Sequence, residues 1–124
     1  MVYFKTIFLD AALTFIKELN PKISQKLLDK IQEAEGSNNP KIFKKLRDHI
    51  WEFRLRYGFT QIRLLAFWDK SDNENILVVA THGFMKKTDK VPGNEFIRAK
   101  NIREKYFESK NKMHGKNSHE SLYP

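Results

Sequence analysis

Four basic residues and one histidine occupy places from which they could act together on a phosphate group. They are Arg54, Arg63, His82, Lys86 and Lys87. Arg54 and Arg63 belong to two successive candidate strands, and the other three come where a continuous apolar run ends. Fixed cations stabilise the charge of a five-coordinate phosphate, and the planar guanidinium fits phosphate oxygens best. Histidine titrates near neutral pH and could move the proton. These groups suit metal-free cutting of a phosphodiester.

Two of these residues also have a plainer interpretation. His82 precedes Gly83 at the predicted end of a strand, where its ring could simply hydrogen-bond the turn. Arg54 could form an ion pair with Glu52 or Asp48 and serve only the structure. On the functional interpretation, His82 is the acid or the base, and Arg54 supports the cations that bind the phosphate.

Arg63 is harder to explain as a purely structural residue. It lies between Ile62 and Leu64, and an isolated charge on an apolar strand is costly unless it is paired or used. Lys86 and Lys87 could form an ordinary solvated turn, or they could bind phosphate at the exit of the strand. We therefore predict that Arg63 and Lys87 stabilise the phosphate and that Lys86 assists them.

The whole chain is strongly basic, with a formal net charge of +8 and a sequence pI near 9.7. Such a charge on a small domain favours a polyanionic partner, and RNA is the first candidate. An acidic protein would use the same charge, and a well-solvated basic protein needs no partner at all. The flanking cations that we predict to contact RNA are Lys44, Lys45, Arg47, Arg56 and Lys90.

Several classes of site and location are disfavoured by what the sequence lacks. The chain has no cysteine, so it has no disulfide, thiolate zinc site or cysteine nucleophile, which fits a reducing cytoplasm. Acidic residues are scattered among lysines, and His114 and His119 are poorly spaced for a helical metal pair, so we expect no metal and no cofactor. Neither a signal peptide nor an apolar run of about 18 residues occurs. A soluble, cytoplasmic protein is expected.

The elements that position these residues fall into two halves, and the first is helical. Tyr3–Leu9 reads as an edge or second strand. Asp10–Glu35 reads as a helical hairpin, capped by Asp10, broken at Asn20-Pro21 and ended by Gly36. Lys41–Leu46 is predicted as a short helical turn.

The second half is predicted as an antiparallel meander followed by a helix. The meander comprises the alternating segment Ile50–Tyr57, the largely apolar segment Thr60–Asp69 that follows the turn at Gly58, and the apolar run Ile76–Thr81. Helical spacing favours a closing helix over Pro92–Tyr106. The predicted fold is α+β, a small antiparallel sheet with an N-terminal helical hairpin and a C-terminal helix. Residues 1–110 are expected to form a single domain, and the polar residues 111–124 a mobile tail.

Three segments of this chain resemble a known family. The segments Trp51–Arg54, Ile62–Phe67 and His82–Thr88, with the basic helix Pro92–Tyr106, resemble the phage-derived HigB-like toxins of the RelE/ParE superfamily. The resemblance runs over most of the chain, roughly Tyr3–Phe107. It implies the RelE-like fold and a small endoribonuclease toxin that cuts messenger RNA on the ribosome.

The resemblance also implies partners for this chain, although the sequence departs from the family pattern at a few positions. The implied partners are the ribosome, messenger RNA and a HigA-like antitoxin, a helix-turn-helix protein. HigB-like antitoxins often leave the active site uncovered, so contact with the hairpin Asp10–Glu35 is expected. Many RelE-type nucleases carry lysine at the place of Glu52. A tyrosine near the C-terminus often assists, and here Tyr106 and Tyr123 are available.

Two other functions remain open on the sequence. The ParE branch of the same superfamily binds DNA gyrase and cuts nothing. A phage-encoded nucleic-acid-binding module without catalysis is the second possibility, although no reading helix is evident. The segment His82–Thr88 and the density of cations on the sheet favour the nuclease over the gyrase inhibitor, and the lack of a reading helix makes the binding module the weaker alternative.

Overall fold

The computed structural model describes residues 2–37, 39–86 and 91–119, with side chains described up to Lys112. The elements, in chain order, are β1 (Lys5–Phe8), α1 (Asp10–Glu18), α2 (Pro21–Ser37), β2 (Phe43–Arg47), β3 (Ile50–Tyr57), β4 (Thr60–Asp69), β5 (Leu77–Lys86) and α3 (Gly93–His119). The strands form a five-stranded sheet in the order β1-β5-β4-β3-β2. β1 runs parallel to β5, and the other pairs are antiparallel. The α+β fold and the meander of β3 to β5 are confirmed.

Side chains alternate across each strand, and this alternation gives the sheet two different faces. The face under the hairpin of α1 and α2 is apolar and includes Phe53, Ile62 and Leu64. On the other face, α3 covers a second apolar cluster that includes Phe67 and Phe96. The polar residues of β3, β4 and β5 lie on this second face, beyond the apolar cluster.

The segment predicted as a helical turn, Lys41–Leu46, instead contributes β2, so this prediction is wrong. Phe43 pairs with Phe53 of β3, and their rings stack with centroids 4.3 Å apart. The pairing buries the Phe43 side chain, and such tertiary contacts override local helical preference. A tight turn joins β2 to β3, and its residues Asp48 and His49 have positive φ angles of 48° and 70°.

The last strand extends further than the apolar run predicts. β5 continues through His82 and Gly83 to Lys86, so the prediction that the strand ends before His82 is wrong. Gly83 pairs with Leu64 inside the sheet, and a Cβ atom at this position would overlap the ring of Phe15 in α1. The glycine therefore makes room for the helix and does not form a turn.

The helix boundaries differ in detail from the prediction. Leu9, not Asp10, is the N-cap of α1, and Asp10 is the first helical residue, where its charge suits the helix dipole. The predicted restart is confirmed, because the backbone N–H of Lys22 donates to Asn20 Oδ1 at 2.9 Å. α2 includes Gly36 and ends one residue later.

The C-terminal helix continues beyond the predicted Tyr106 and through part of the predicted tail. Its backbone is helical as far as His119, and residues 120–124 lie outside the described residues. None of the helices that the structure describes has the length and apolar character needed to span a membrane.

Candidate functional site

Basic residues from four neighbouring strands lie on the α3 side of the sheet, beyond the apolar cluster. Arg54 stands directly opposite Arg63, and Gln61 pairs with both Arg56 and Lys86. Arg56 is exposed, Arg54 and Lys86 are partly exposed, and Arg63 is buried. We call this surface the cation face, and its members are Lys44, Arg54, Arg56, Arg63 and Lys86. The structure therefore brings together three of the predicted catalytic residues and two of the predicted RNA contacts.

A buried carboxylate lies between the two arginines that face each other. Glu52 Oε1 is 3.3 Å from Arg63 Nε, and Glu52 Oε2 is 3.7 Å from Arg54 Nε. Like charges directly opposite on a sheet repel, and Glu52 offsets that repulsion. The Glu52–Arg63 pair is close enough for an ion pair but is not aligned for a hydrogen bond, so both atoms lack one among the described residues. Glu52 Oε1 and Arg63 Nε are therefore held by charge attraction and not by a hydrogen bond.

The rest of the Arg63 guanidinium is fixed by its own strand. Nη1 donates to the backbone oxygen of Ile62 at 3.0 Å, and Nη2 donates to Gln61 Oε1 at 2.9 Å. Burial lowers the pKa of Arg63 from its usual value, the charge of Glu52 opposes that effect, and the charge of Arg54 adds to it. Arg63 is therefore a rigid, paired cation beneath the surface, and a phosphate from solvent meets Arg54 and Arg56 first.

A groove runs beside the cation face toward the start of α3. It has a volume of about 420 Å³ and is lined by Lys44, Leu46, Arg47, Glu52, Arg54, Lys86, Val91 and Phe96. The guanidinium of Arg47 lies over the Phe96 ring, 4.3 Å from its centroid. The groove thus offers cations for phosphate and apolar surface for a base or sugar.

His82 does not reach this groove. Its side chain is about 1% exposed; Nε2 lies 3.0 Å from Glu95 Oε1, and Nδ1 lies 3.1 Å from Thr81 Oγ1. Burial and the nearby charge of Arg98 lower the pKa of His82, while Glu95 opposes the shift. The ring therefore joins the sheet to α3, which fits the plainer interpretation of a hydrogen-bonded histidine, although its partner is a helix and not a turn.

Tyr106 lies at the opposite end of β4 from Arg63. Its hydroxyl donates to Asp69 Oδ2 at 2.7 Å, and Lys110 Nζ contacts the same oxygen at 2.6 Å. Arg63 and Asp69 are about 20 Å apart along the strand. Burial, with the carboxylate of Asp69, raises the pKa of Tyr106. Tyr106 fastens α3 to the sheet, far from the cation face, and Tyr123 lies outside the described residues.

Of the remaining predicted site residues, two lie outside the described part of the chain and two neighbouring lysines lie on different faces of the sheet. Lys87 and Lys90 lie outside the described residues. Lys44 pairs with Glu52 and Lys45 with Trp51, so the two neighbouring lysines point to opposite faces of the sheet. The sequence predicts that both lysines contact RNA, but their opposite orientations prevent them from binding phosphate on the same surface.

Two residues that matter at this site were not among the predicted ones. Glu52 is predicted only as a possible partner of Arg54 and as a departure from the family pattern, although its alternation with Arg54 along β3 places both on one face. Glu95 had no such signal, because its contact with His82 depends on how α3 crosses the sheet. Within the described parts of the chain, no group of three histidine, aspartate or glutamate residues could hold a metal ion.

Comparison with known protein families identifies the family to which the chain belongs. Residues 14–104, more than half of the sequence, match the family described as phage-derived Gp49-like proteins. The chain belongs to this family. No curated protein sequence matches it significantly.

Solved structures share the fold of this Gp49-like chain. A mutant of Escherichia coli RelE in the free state, with two arginines replaced by alanine, has a TM-score of 0.57, 21% identity, and covers 82% of this chain and 97% of its own. The Mycobacterium tuberculosis RelBE2 toxin–antitoxin complex has a TM-score of 0.51, 21% identity, and coverage of 68% and 100%. The intact E. coli RelBE complex has a TM-score of 0.50, 20% identity, and coverage of 70% and 99%. The RelE-like fold predicted from the sequence is confirmed.

Proposed function

We propose that this Gp49-like protein is the toxin of a type II toxin–antitoxin pair and an endoribonuclease that cuts messenger RNA on the ribosome. The RelE-like fold supports the role of toxin. The observation that carries the nuclease is the cation face, where Arg54 and Arg63 stand opposite each other beside a basic groove. A protein that only inhibits gyrase has no need of cations arranged for a phosphodiester.

The reaction proposed is attack by the 2′-hydroxyl of the RNA on the adjacent phosphorus. A bond forms from the 2′-oxygen to phosphorus, the bond to the 5′-oxygen breaks, and the 2′ proton is lost as the 5′-oxygen gains one. The products are a 2′,3′-cyclic phosphate and a 5′-hydroxyl. Arg54 and Lys86 are assigned to the phosphate oxygens, since they are the partly exposed cations beside the groove.

Arg63 has a different place in this proposal from its neighbours. Being buried and paired with Glu52, it supplies a fixed positive potential under the phosphate, and Glu52 also pairs with Arg54 at 3.7 Å. Lys87, the residue that follows β5, stays a predicted phosphate-binding residue. His82 is sealed under α3, so the proposal relies on charge and alignment and not on a histidine base.

A cognate antitoxin is part of the proposal, and the RelB-containing complexes of structural neighbours support it. On this chain, apolar side chains are exposed along the hairpin and the N-terminal segment, among them Val2, Tyr3, Leu13 and Leu28. Such exposed apolar surface is typical of a protein interface. We propose that the antitoxin, of the HigA-like helix-turn-helix type, docks there and leaves the cation face uncovered.

Expression in a bacterial host tests the proposal against both alternatives. The wild-type protein should arrest translation, and primer extension should detect cuts inside translated messages but not in a message without a start codon. Arg54→Ala/Arg56→Ala should abolish the cuts, and Lys17→Ala/Lys22→Ala, which removes the same charge from the hairpin, should keep them. Intact messages with trapped gyrase–DNA complexes would favour the gyrase inhibitor. RNA that is bound but uncut would favour the non-catalytic binding module.

A further inference from the structure

A second basic pocket lies away from the cation face, at the other end of the sheet. It has a volume of about 400 Å³ and is lined by Lys45, His49, Trp51, Trp68, Lys70 and Arg103. Trp51 and Trp68 lie on the hairpin face of the sheet, and Trp68 is about 17 Å along β4 from Arg63. We call it the tryptophan pocket. The nuclease proposal uses none of its aromatic residues.

The two indole rings form a rigid aromatic wall. Trp51 and Trp68 meet edge to face, with centroids 5.6 Å apart and an interplanar angle of 79°. Trp51 also stacks on Phe43 at 4.9 Å, which fixes the ring from behind. Both indoles are only half-buried, so part of each ring remains available to a ligand.

The polar side of the pocket is cationic. Lys70 Nζ lies 5.0 Å from the centroid of the Trp68 ring, and Lys45 and Arg103 complete the positive lining. Among the residues that the structure describes, no carboxylate lines the pocket, in contrast to the cation face with its Glu52. These features suit a negatively charged ligand.

A two-residue hairpin turn between β2 and β3 brings His49 to the pocket. Asp48 and His49 have positive φ angles of 48° and 70°, as the tight turns that favour a β-hairpin require. The turn therefore fixes His49 at the rim of the pocket through local backbone geometry.

We propose that the tryptophan pocket binds a nucleotide of single-stranded RNA, with the base against the indoles and the phosphate among Lys45, Lys70 and Arg103. Aromatic side chains that receive a base, combined with cations along the backbone, are how proteins bind unpaired RNA. An acidic peptide would use the cations but would gain little from two indoles. The inference does not depend on RNA cleavage, because the tryptophan pocket and the groove share no lining residue.

The sequence offers a direct reporter for this test, since its two tryptophans are the two that line the pocket. The probe is a short single-stranded oligoribonucleotide with 2′-O-methyl sugars, which resists cleavage by 2′-hydroxyl attack. The titrations use the Arg54→Ala/Arg56→Ala variant, in which binding of RNA at the cation face is weakened. We expect saturable quenching of tryptophan fluorescence, with the affinity confirmed by anisotropy of a labelled oligoribonucleotide.

Adding Lys45→Ala/Lys70→Ala should weaken this binding on the order of tenfold and flatten its salt dependence. Each lost phosphate contact should lower the slope of log affinity against log salt by about 0.7, so two should lower it by about 1.4. The matched control, Lys17→Ala/Lys22→Ala, removes equal charge from the hairpin and should change neither quantity.

Three results would overturn the inference. The first is binding of the oligoribonucleotide without any change in tryptophan fluorescence. The second is an equal loss of affinity in the control variant, which would mean that net charge alone governs binding. The third is tighter binding of a polyglutamate peptide with the same quenching, which would assign the pocket to an acidic protein partner.

Discussion

At the scale of single residues, Glu52 is the carboxylate that pairs with two arginines of the cation face. It is buried between Arg54 and Arg63, and it holds the more deeply buried one in an ion pair. Removing either member of such a pair leaves an uncompensated charge in a poorly hydrated site, which is strongly destabilising. Arg63 therefore contributes to folding as well as to the proposed reaction, and the two contributions must be measured separately.

A double-mutant cycle separates them. We expect Glu52→Gln and Arg63→Gln each to lower the free energy of unfolding by about 3 kcal/mol, and the double variant to lose clearly less than the sum. The exposed pair Lys30–Glu33, at 3.5 Å, is the control and should show a coupling within about 0.5 kcal/mol. Urea denaturation measures all variants. Additive losses at Glu52 and Arg63 would mean that the pair is not coupled in solution.

His82 predicts a pH dependence of stability whose sign follows from its surroundings. Burial and Arg98 lower its pKa below the unfolded value near 6.5, against the opposing effect of Glu95. The unfolded chain then binds more protons than the folded one below about pH 6.5, so the stabilising contribution is present above that pH and lost as the pH falls. His82→Gln should therefore flatten the loss of unfolding free energy between about pH 7 and about pH 5.

The wild-type protein, measured over the same pH range, is the reference for this variant. Carboxylates contribute to the acid limb in every variant, so the informative quantity is the difference between variants in urea denaturation. A His82→Gln profile parallel to that of the wild type would contradict a lowered pKa at His82.

At the scale of elements, the strand β5 contributes side chains to both faces of the sheet. Its packing against α1 depends on Gly83. Gly83 lies in the middle of the strand, and the ring of Phe15 from α1 occupies the space that a side chain would need. The hairpin can therefore pack closely on the sheet only where β5 has no Cβ atom. Beyond this contact the strand continues to Lys86, which pairs with Gln61 at the cation face.

Gly83→Ala tests the fit. The added methyl group overlaps the Phe15 ring, so we expect a loss of about 1 to 3 kcal/mol in the free energy of unfolding. Gly83→Ala/Phe15→Leu should lose less, relative to Phe15→Leu alone, than Gly83→Ala loses relative to the wild type. Gly93→Ala, where an added Cβ meets nothing within 4 Å, is the control and should be close to neutral. An unchanged stability of Gly83→Ala would show that the helix does not press on the strand.

The same elements explain what could be predicted from the sequence. β3 follows from local alternation and β4 from an apolar block, each bounded by turn residues, and their pairing places Arg54 beside Arg63. β2 and the second half of β5 could not be predicted in this way. Phe43 is in a strand because it packs on Phe53, and Gly83 continues a strand because Phe15 covers it. The contact of His82 with Glu95 likewise depends on the path of α3 across the sheet.

At the scale of the whole molecule, the two faces of the sheet separate the proposed functions. The cation face lies on the α3 side, whereas the exposed apolar residues Leu13 and Leu28 lie on the hairpin that covers the opposite side. An antitoxin on the hairpin would block entry to the ribosome by its bulk and leave Arg54 in solvent. Neutralisation would then not require contact with the cation face.

Hydrogen exchange on the free and antitoxin-bound protein tests this arrangement. We expect new protection in the hairpin Asp10–Glu35 and in β1, because the docked antitoxin removes those amides from solvent. The segment Arg54–Arg63 should exchange as in the free protein and serves as the internal control. Protection confined to Arg54–Arg63 and the segment His82–Lys90, with none in the hairpin, would contradict remote docking.

The central claim is that the protein cuts ribosome-bound messenger RNA through attack of the 2′-hydroxyl on the adjacent phosphorus. A purified system tests this claim most directly. A message is first mapped for its main cut in the presence of ribosomes, and a second message then carries one 2′-deoxynucleotide at that site. We expect the first to yield a 2′,3′-cyclic phosphate and a 5′-hydroxyl only when ribosomes are present, and the second to stay intact at that position. Cutting of the deoxy-substituted message at the same site, or an unbroken first message on ribosomes, would contradict the account.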